Sequence, residues 1–172
     1  MIDNILLYIL IGDIARTLRE YEDRIKYFKL ARYVADYLDK PLLVVGEPKG
    51  KHPYGDVTID INPTEPGVIR MDVLEVDKYF PYKYFGCVYI SHVLEHLPPD
   101  KLGIAIKKLS YVSHCIVALY PKLGKVILGL IHPEHYIGTL VKLWKLSPSG
   151  ILIIFDKKGE KAICKTLKSV KI

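Results

Sequence analysis

Apolar residues recur at steps of three and four from residue 13 to residue 39: Ile14, Leu18, Tyr21, Ile25 and Phe28, joined by Leu30, Val34, Tyr37 and Leu38. That period predicts one long amphipathic helix, stopped before Pro41 because the residue preceding a proline is pushed out of helical backbone. The pattern then changes to continuous apolar runs. Residues 42–46 (LLVVG) suit a strand buried on both faces, as in parallel sheets. Residues 56–61, 68–71 and 85–91 are further strand candidates between Gly, Pro and Asn punctuation. Asp100 after Pro98-Pro99 suits an N-cap, and Leu102, Ala105, Ile106, Leu109 and Val112 form one helical stripe. A buried strand is expected at 115–120, helical spacing broken by Pro133 at 122–146, and a turn at 147–150. The end of the chain is expected to be an antiparallel hairpin: a strand at 151–155, a loop at 156–159 and a returning strand at 161–167. The tally is seven strands in an α/β chain, without internal repeats or an interdomain linker.

With 172 residues, half of them apolar, the chain has the size of one globular domain. Its longest apolar run, residues 5–11, is far short of the roughly 20 residues of a spanning helix. With an acidic start and no small-residue cleavage site after Gly12, no secretory leader and a cytoplasmic protein are expected. Cys87, Cys115 and Cys164 stand apart, without a Cys-x-x-Cys pair, and are expected as core thiols rather than disulfide or zinc ligands. The absence of Gln and the presence of only two Asn, beside abundant Lys and Glu, match the bias of hyperthermophile proteins and point to an archaeal or viral source in a hot environment. The net charge of +6 gathers late, at Lys157, Lys158, Lys161, Lys165, Lys168 and Lys171. Their spacing is taken as the solvated face of the terminal strand, and nucleic acid is not expected as a partner.

Four short motifs fall in a telling order. Residues 42–50 (LLVVGEPKG) resemble the first motif of class I S-adenosylmethionine-dependent methyltransferases, and residues 90–98 (ISHVLEHLP) closely resemble the fourth-strand signature of their small-molecule type. Between them, residues 58–63 (TIDINP) are similar to the acidic second-strand motif, and residues 71–74 (MDVL) to the acidic turn after the third strand. The resemblance covers residues 41–168. It implies an open, mostly parallel Rossmann-like sheet over residues 41–172, preceded by an apolar segment and amphipathic helix over 1–40. It also implies S-adenosylmethionine as cofactor, held by Gly46, Glu47, Gly50, Asp60, Asp72, Ser91 and Glu95, with His92 or His96 as the candidate base toward an unidentified methyl acceptor. Glycine lets backbone approach a ligand at the carboxyl ends of strands, Asp60 would accept from the ribose hydroxyls, and Asp72 from the adenine amino group.

The chain also departs from that family. Val44 stands where an acidic residue is usual, and Pro48, which lacks an N–H, where glycine is usual. Nine residues separate Gly50 from Asp60 and six separate Ile61 from Val68, too few for the usual crossover helices. One sheet face is therefore expected to be short of helices and to rely on the N-terminal helix or a partner. A catalytically silent domain serving as a binding, scaffold or membrane-associated module is the competing reading. His92-Val93-Leu94-Glu95-His96 spells H-x-x-E-H, but its start at a strand end gives no shared helical face for zinc, and no metal is expected. His132 and His135 are expected as surface-loop residues, and the basic loop around His52 lacks the ending of a P-loop. Residues 5–11 are apolar all round, so association is expected there, first as a homo-oligomer and second as shallow contact with an anionic bilayer.

Overall fold

The structure, a computed structural model, describes residues 21–120 and 151–169. The apolar run at 5–11, the start of the N-terminal helix, the 122–150 stretch with His132 and His135, and Lys171 lie outside the described residues. A helix over 21–37 (α1) leads into β1 (Leu42–Val45), β2 (Val57–Asp60) and β3 (Ile69–Arg70). A 3₁₀ turn at Val73–Glu75 and the short α2 (Val76–Tyr79) precede β4 (Phe85–Ser91). A second 3₁₀ turn at Leu94–His96 leads to α3 (Pro99–Val112) and β5 (Ser113–Leu119), and the described chain closes with β6 (Ile151–Phe155) and α4 (Lys157–Ser169).

The six strands form one sheet in the order β3-β2-β1-β4-β5-β6, parallel except for β6, which runs antiparallel to β5. This is the strand order of doubly wound α/β sheets, with the switch point between β1 and β4. β1, β4 and β5 are buried along their whole length, which explains their uninterrupted apolar sequences. One face, from Leu43, Val45, Ile59, Val88, Ile90 and Ile116, packs on the 73–79 turns and on the α3 stripe Leu102, Ala105, Ile106 and Leu109. The other, from Leu42, Val44, Cys87, Tyr89, Cys115 and Val117, packs on α1 through Phe28, Leu30, Ala31, Val34 and Ala35 and on α4 through Ala162 and Ile163. Helix α1 thus shares the sheet's core. It crosses β4 closely enough that a Cβ on Gly86 would lie 2.7 Å from the Ala35 Cα.

Several expectations change. The seventh strand and its hairpin are absent, because residues 161–167 belong to α4. Asp156 caps that helix, accepting from the backbone N–H groups of Lys158 and Gly159 at 3.0 Å each. Buried Gly159, Ala162, Ile163 and Thr166 recur at helical spacing, while Lys157, Lys158, Lys161 and Lys165 are exposed, so the lysines mark the solvent face of a helix. Pro98, not Asp100, is the N-cap of α3, with Pro99 in its first turn, where a missing N–H costs nothing. Tyr21 and Tyr37 are each 50% exposed rather than in the helical core stripe, and Cys164 is exposed, whereas Cys87 and Cys115 are buried. Among the described residues no helix is long and apolar enough to cross a membrane.

Candidate functional site

The carboxyl ends of β1, β2 and β4 surround a cleft of about 360 Å³ beside the switch point. Its walls are Val45 at the end of β1 and Gly46 after it, Ile59, Asp60 and Ile61 at β2, Met71, Asp72 and Val73 after β3, and His92, Val93, His96 and Leu97 after β4. All four motifs noticed in the sequence therefore contribute to one concavity. Parallel strands make this happen, since each strand delivers its carboxyl end, and the turn that follows, to the same edge of the sheet.

Gly46 takes φ of 94° and donates its N–H to the Ile59 carbonyl at 2.9 Å. A Cβ there would sit 2.6 Å from the Val93 side chain, so glycine allows the β1 and β4 turns to meet on the cleft floor. Asp60 holds the neighbouring loops with one oxygen each: Oδ2 accepts from the Glu47 N–H at 2.7 Å and Oδ1 from the Asn62 N–H at 2.8 Å. An ionised carboxylate has about four acceptor sites, so capacity remains on both oxygens. Asp72 caps the following turn, its Oδ1 accepting from the Leu74 N–H at 2.9 Å.

The fourth motif is more unusual. His92 takes a left-handed backbone with φ of 57°, and its N–H donates to the Leu119 carbonyl at 2.9 Å. Its Nδ1 lies 3.3 Å from Oε1 of Glu95. Glu95 is 0% exposed, and both of its carboxylate oxygens lack a hydrogen bond. His96 is exposed and lines the cleft one 3₁₀ turn further on. Among the described residues no group of three His, Cys, Asp or Glu side chains is arranged to hold a metal.

The remaining expected site residues sit outside the cleft lining. Glu47 turns toward the β2–β3 loop and accepts from Thr64 Oγ1 at 2.8 Å and from the Thr64 and Glu65 N–H groups. Burial pushes its carboxyl up, but these hydrogen bonds, joined by Lys49 at 3.9 Å, outweigh it and hold the group below the ordinary carboxylate range. Glu47 therefore ties together the two loops that are too short to carry helices. Gly50 forms an exposed turn with φ of 72°, and Ser91 is buried at the end of β4. His52 is buried under α1, with its ring centroid 4.9 Å from that of Tyr89 and 5.9 Å from that of Phe28, and burial pushes its pKa down. The apolar walls Ile61, Met71, Val93 and Leu97 were not singled out in the sequence. Each directly adjoins a polar motif residue, which is the signal that would have found them.

No family model matches the sequence, and no curated protein matches it. Among solved structures the chain is similar to one described as a SAM dependent methyltransferase from Archaeoglobus fulgidus, with 23% identity and a TM-score of 0.49. The match covers 76% of this chain and 72% of that one.

Proposed function

We propose that this domain binds S-adenosylmethionine in the switch-point cleft and transfers its methyl group to an acceptor. The observation that carries the reading is the convergence of Gly46, Asp60, Asp72, His92 and His96 on one concavity from four separate motifs. The chemistry of the lining suits the cofactor: a glycine cradle for close backbone approach, spare acceptor sites on Asp60 and Asp72 for ribose hydroxyls and the adenine amino group, and apolar side chains for the base. A bound sulfonium supplies an activated methyl group. The chain's part is then to bind, to align the acceptor, and to take up a proton if the acceptor must lose one, with His92 or His96 as the base.

A silent domain that keeps the fold as a binding or scaffold module is the second reading. It is favoured by Pro48, which offers no N–H in the β1 loop, and by the Glu47 carboxylate being engaged with Thr64 and Glu65. Calorimetric titration separates the two. The wild type is expected to bind S-adenosylmethionine and its demethylated product, and Asp60→Ala to lose about 1.5–3 kcal/mol of that affinity, the range for hydrogen bonds to a charged group. Absence of both heat and thermal shift at millimolar cofactor removes the enzyme reading.

A further inference from the structure

We propose that Glu95 is a positioning residue for His92, fixing the proton on Nδ1 so that Nε2 is the bare, basic nitrogen at the cleft. The inference deepens the methyl-transfer reading and rests on it for its purpose, although the geometry stands by itself. A carboxylate with both oxygens buried and neither hydrogen-bonded is costly in a folded protein, and an apolar residue of similar size would remove that cost. The His92 ring is the polar group the structure sets against it, with Nδ1 3.3 Å from Oε1. Glu95 is absent from the cleft lining while His92 and His96 are in it, so Glu95 acts through His92 rather than on a ligand.

The backbone supports the same assignment. His92 occupies the left-handed region at φ of 57°, uncommon for a residue with a side chain although histidine is among those that enter it more readily. Strain of that kind persists where surrounding contacts over-determine it, and here the Leu119 carbonyl anchors the His92 N–H while β4 ends. Turned this way, the ring has one nitrogen toward Glu95 and one left for the cleft it lines. A buried carboxylate beside one imidazole nitrogen favours the proton on that nitrogen by electrostatic attraction, the logic by which a carboxylate orients a histidine base.

The step this arrangement serves balances as follows. An acceptor X–H gives its proton to Nε2, the X electron pair forms the bond to the methyl carbon, and the carbon–sulfur bond breaks with its electron pair remaining on sulfur as a thioether. The imidazolium so formed is compensated by the Glu95 carboxylate. The acceptor class is accordingly one that must lose a proton on methylation, rather than a tertiary amine or a thioether.

The test reads the tautomer directly in full-length, cofactor-free protein labelled with ¹⁵N in histidine. In alkaline buffer, two-bond proton–nitrogen correlations of His92 are expected to show Nδ1 protonated and Nε2 bare. Glu95→Leu is expected to move the proton to Nε2 while thermal stability holds or rises, because a buried carboxylate has gone. A wild-type spectrum with Nε2 protonated overturns the proposal, and does so even if the leucine variant fails to fold. An unchanged tautomer in Glu95→Leu overturns it as well. Because no cofactor is present, failure here is distinguishable from failure of the methyltransferase reading, which the titration decides.

Discussion

Gly46 and Gly50 both stand in the left-handed region, yet their surroundings make them unequal. Alanine at 46 meets the Val93 side chain at 2.6 Å as well as the backbone penalty, whereas at 50 nothing lies within 4 Å of the added carbon. Gly50→Ala is therefore expected to cost the conformational term alone, about 1–2 kcal/mol, and Gly46→Ala a further 1–3 kcal/mol or so for overpacking. Urea denaturation of the two variants checks this, and equal losses would show that the β1–β4 contact is soft. Gly46→Ala should also push Val93 into the cleft and weaken ligand binding, an effect not expected at Gly50. At this scale the sequence was informative about residue types and silent about direction. Gly46, Gly50 and Asp60 stood out through motifs that resemble a known family, and of these Gly46 and Asp60 line the cleft while Gly50 does not. Nothing in the sequence tells that Glu47 bonds Thr64 instead of a ligand, or that Glu95 lies behind His92, since facing is decided by loops that meet only in the folded chain.

Elements with a strong period were legible for physical reasons, and the one misread element shows where such reasoning stops. β4 was placed at its observed bounds because its apolar run has strand length between turn residues, and α3 was placed, with its start two residues late, because its five-residue stripe fits the helical period. The segment after β6 has a weaker signal. Gly159 looked like a turn residue, and Ala162 and Ile163 are adjacent, which strand and helix can both accommodate. Packing decides: a Cβ on Gly159 would run into the His114 carbonyl, so this glycine lets α4 lie against β5. Asp156 starts the helix and also joins it to the sheet, with Oδ2 2.8 Å from His114 Nδ1 and 3.0 Å from Lys83 Nζ. Asp156→Ala removes the cap, typically about 0.5–2 kcal/mol, and leaves Lys83 without that partner. Asp156→Asn keeps a capping oxygen and loses the charge, so it should lie between the wild type and alanine. Thermal melts followed at the helix signal measure both, and an alanine variant as stable as the wild type would mean that the cap contributes nothing.

Across the whole molecule, the face that lacks crossover helices is covered by α1 and α4, and both are tied down by groups that respond to acid. His52 wedges between Phe28 of α1 and Tyr89 of β4, and burial holds its pKa below that of a free imidazole. Asp56 accepts from Arg32 of α1 at 2.7 Å and from the Leu42 N–H at 2.7 Å, and the Arg32 hydrogen bond is the chief reason its carboxyl sits below the ordinary range. Asp156 is also depressed: burial pushes it up, but the Gly159 N–H, Lys83 and His114 outweigh that. In each case the folded state binds its proton less readily than the unfolded chain. Stability is therefore fully present above the unfolded value and is lost as pH falls toward and through the folded one. Two windows follow. The first opens below about pH 6.5, where unfolded histidine begins to charge while buried His52 resists, and the second below about pH 4, where unfolded carboxylates protonate before Asp56 and Asp156 do. Urea midpoints measured across these windows should be level on the alkaline side, fall modestly through the first and steeply through the second. His52→Phe, which keeps a ring between Phe28 and Tyr89, should flatten the first step without touching the second. Asp156→Asn should lower stability at neutral pH and reduce the second step. A wild-type midpoint that stays constant from about pH 7 down to about pH 5, with the phenylalanine variant parallel to it, would show that His52 is not a buried neutral group and that the α1 contact is looser than its ring distances indicate.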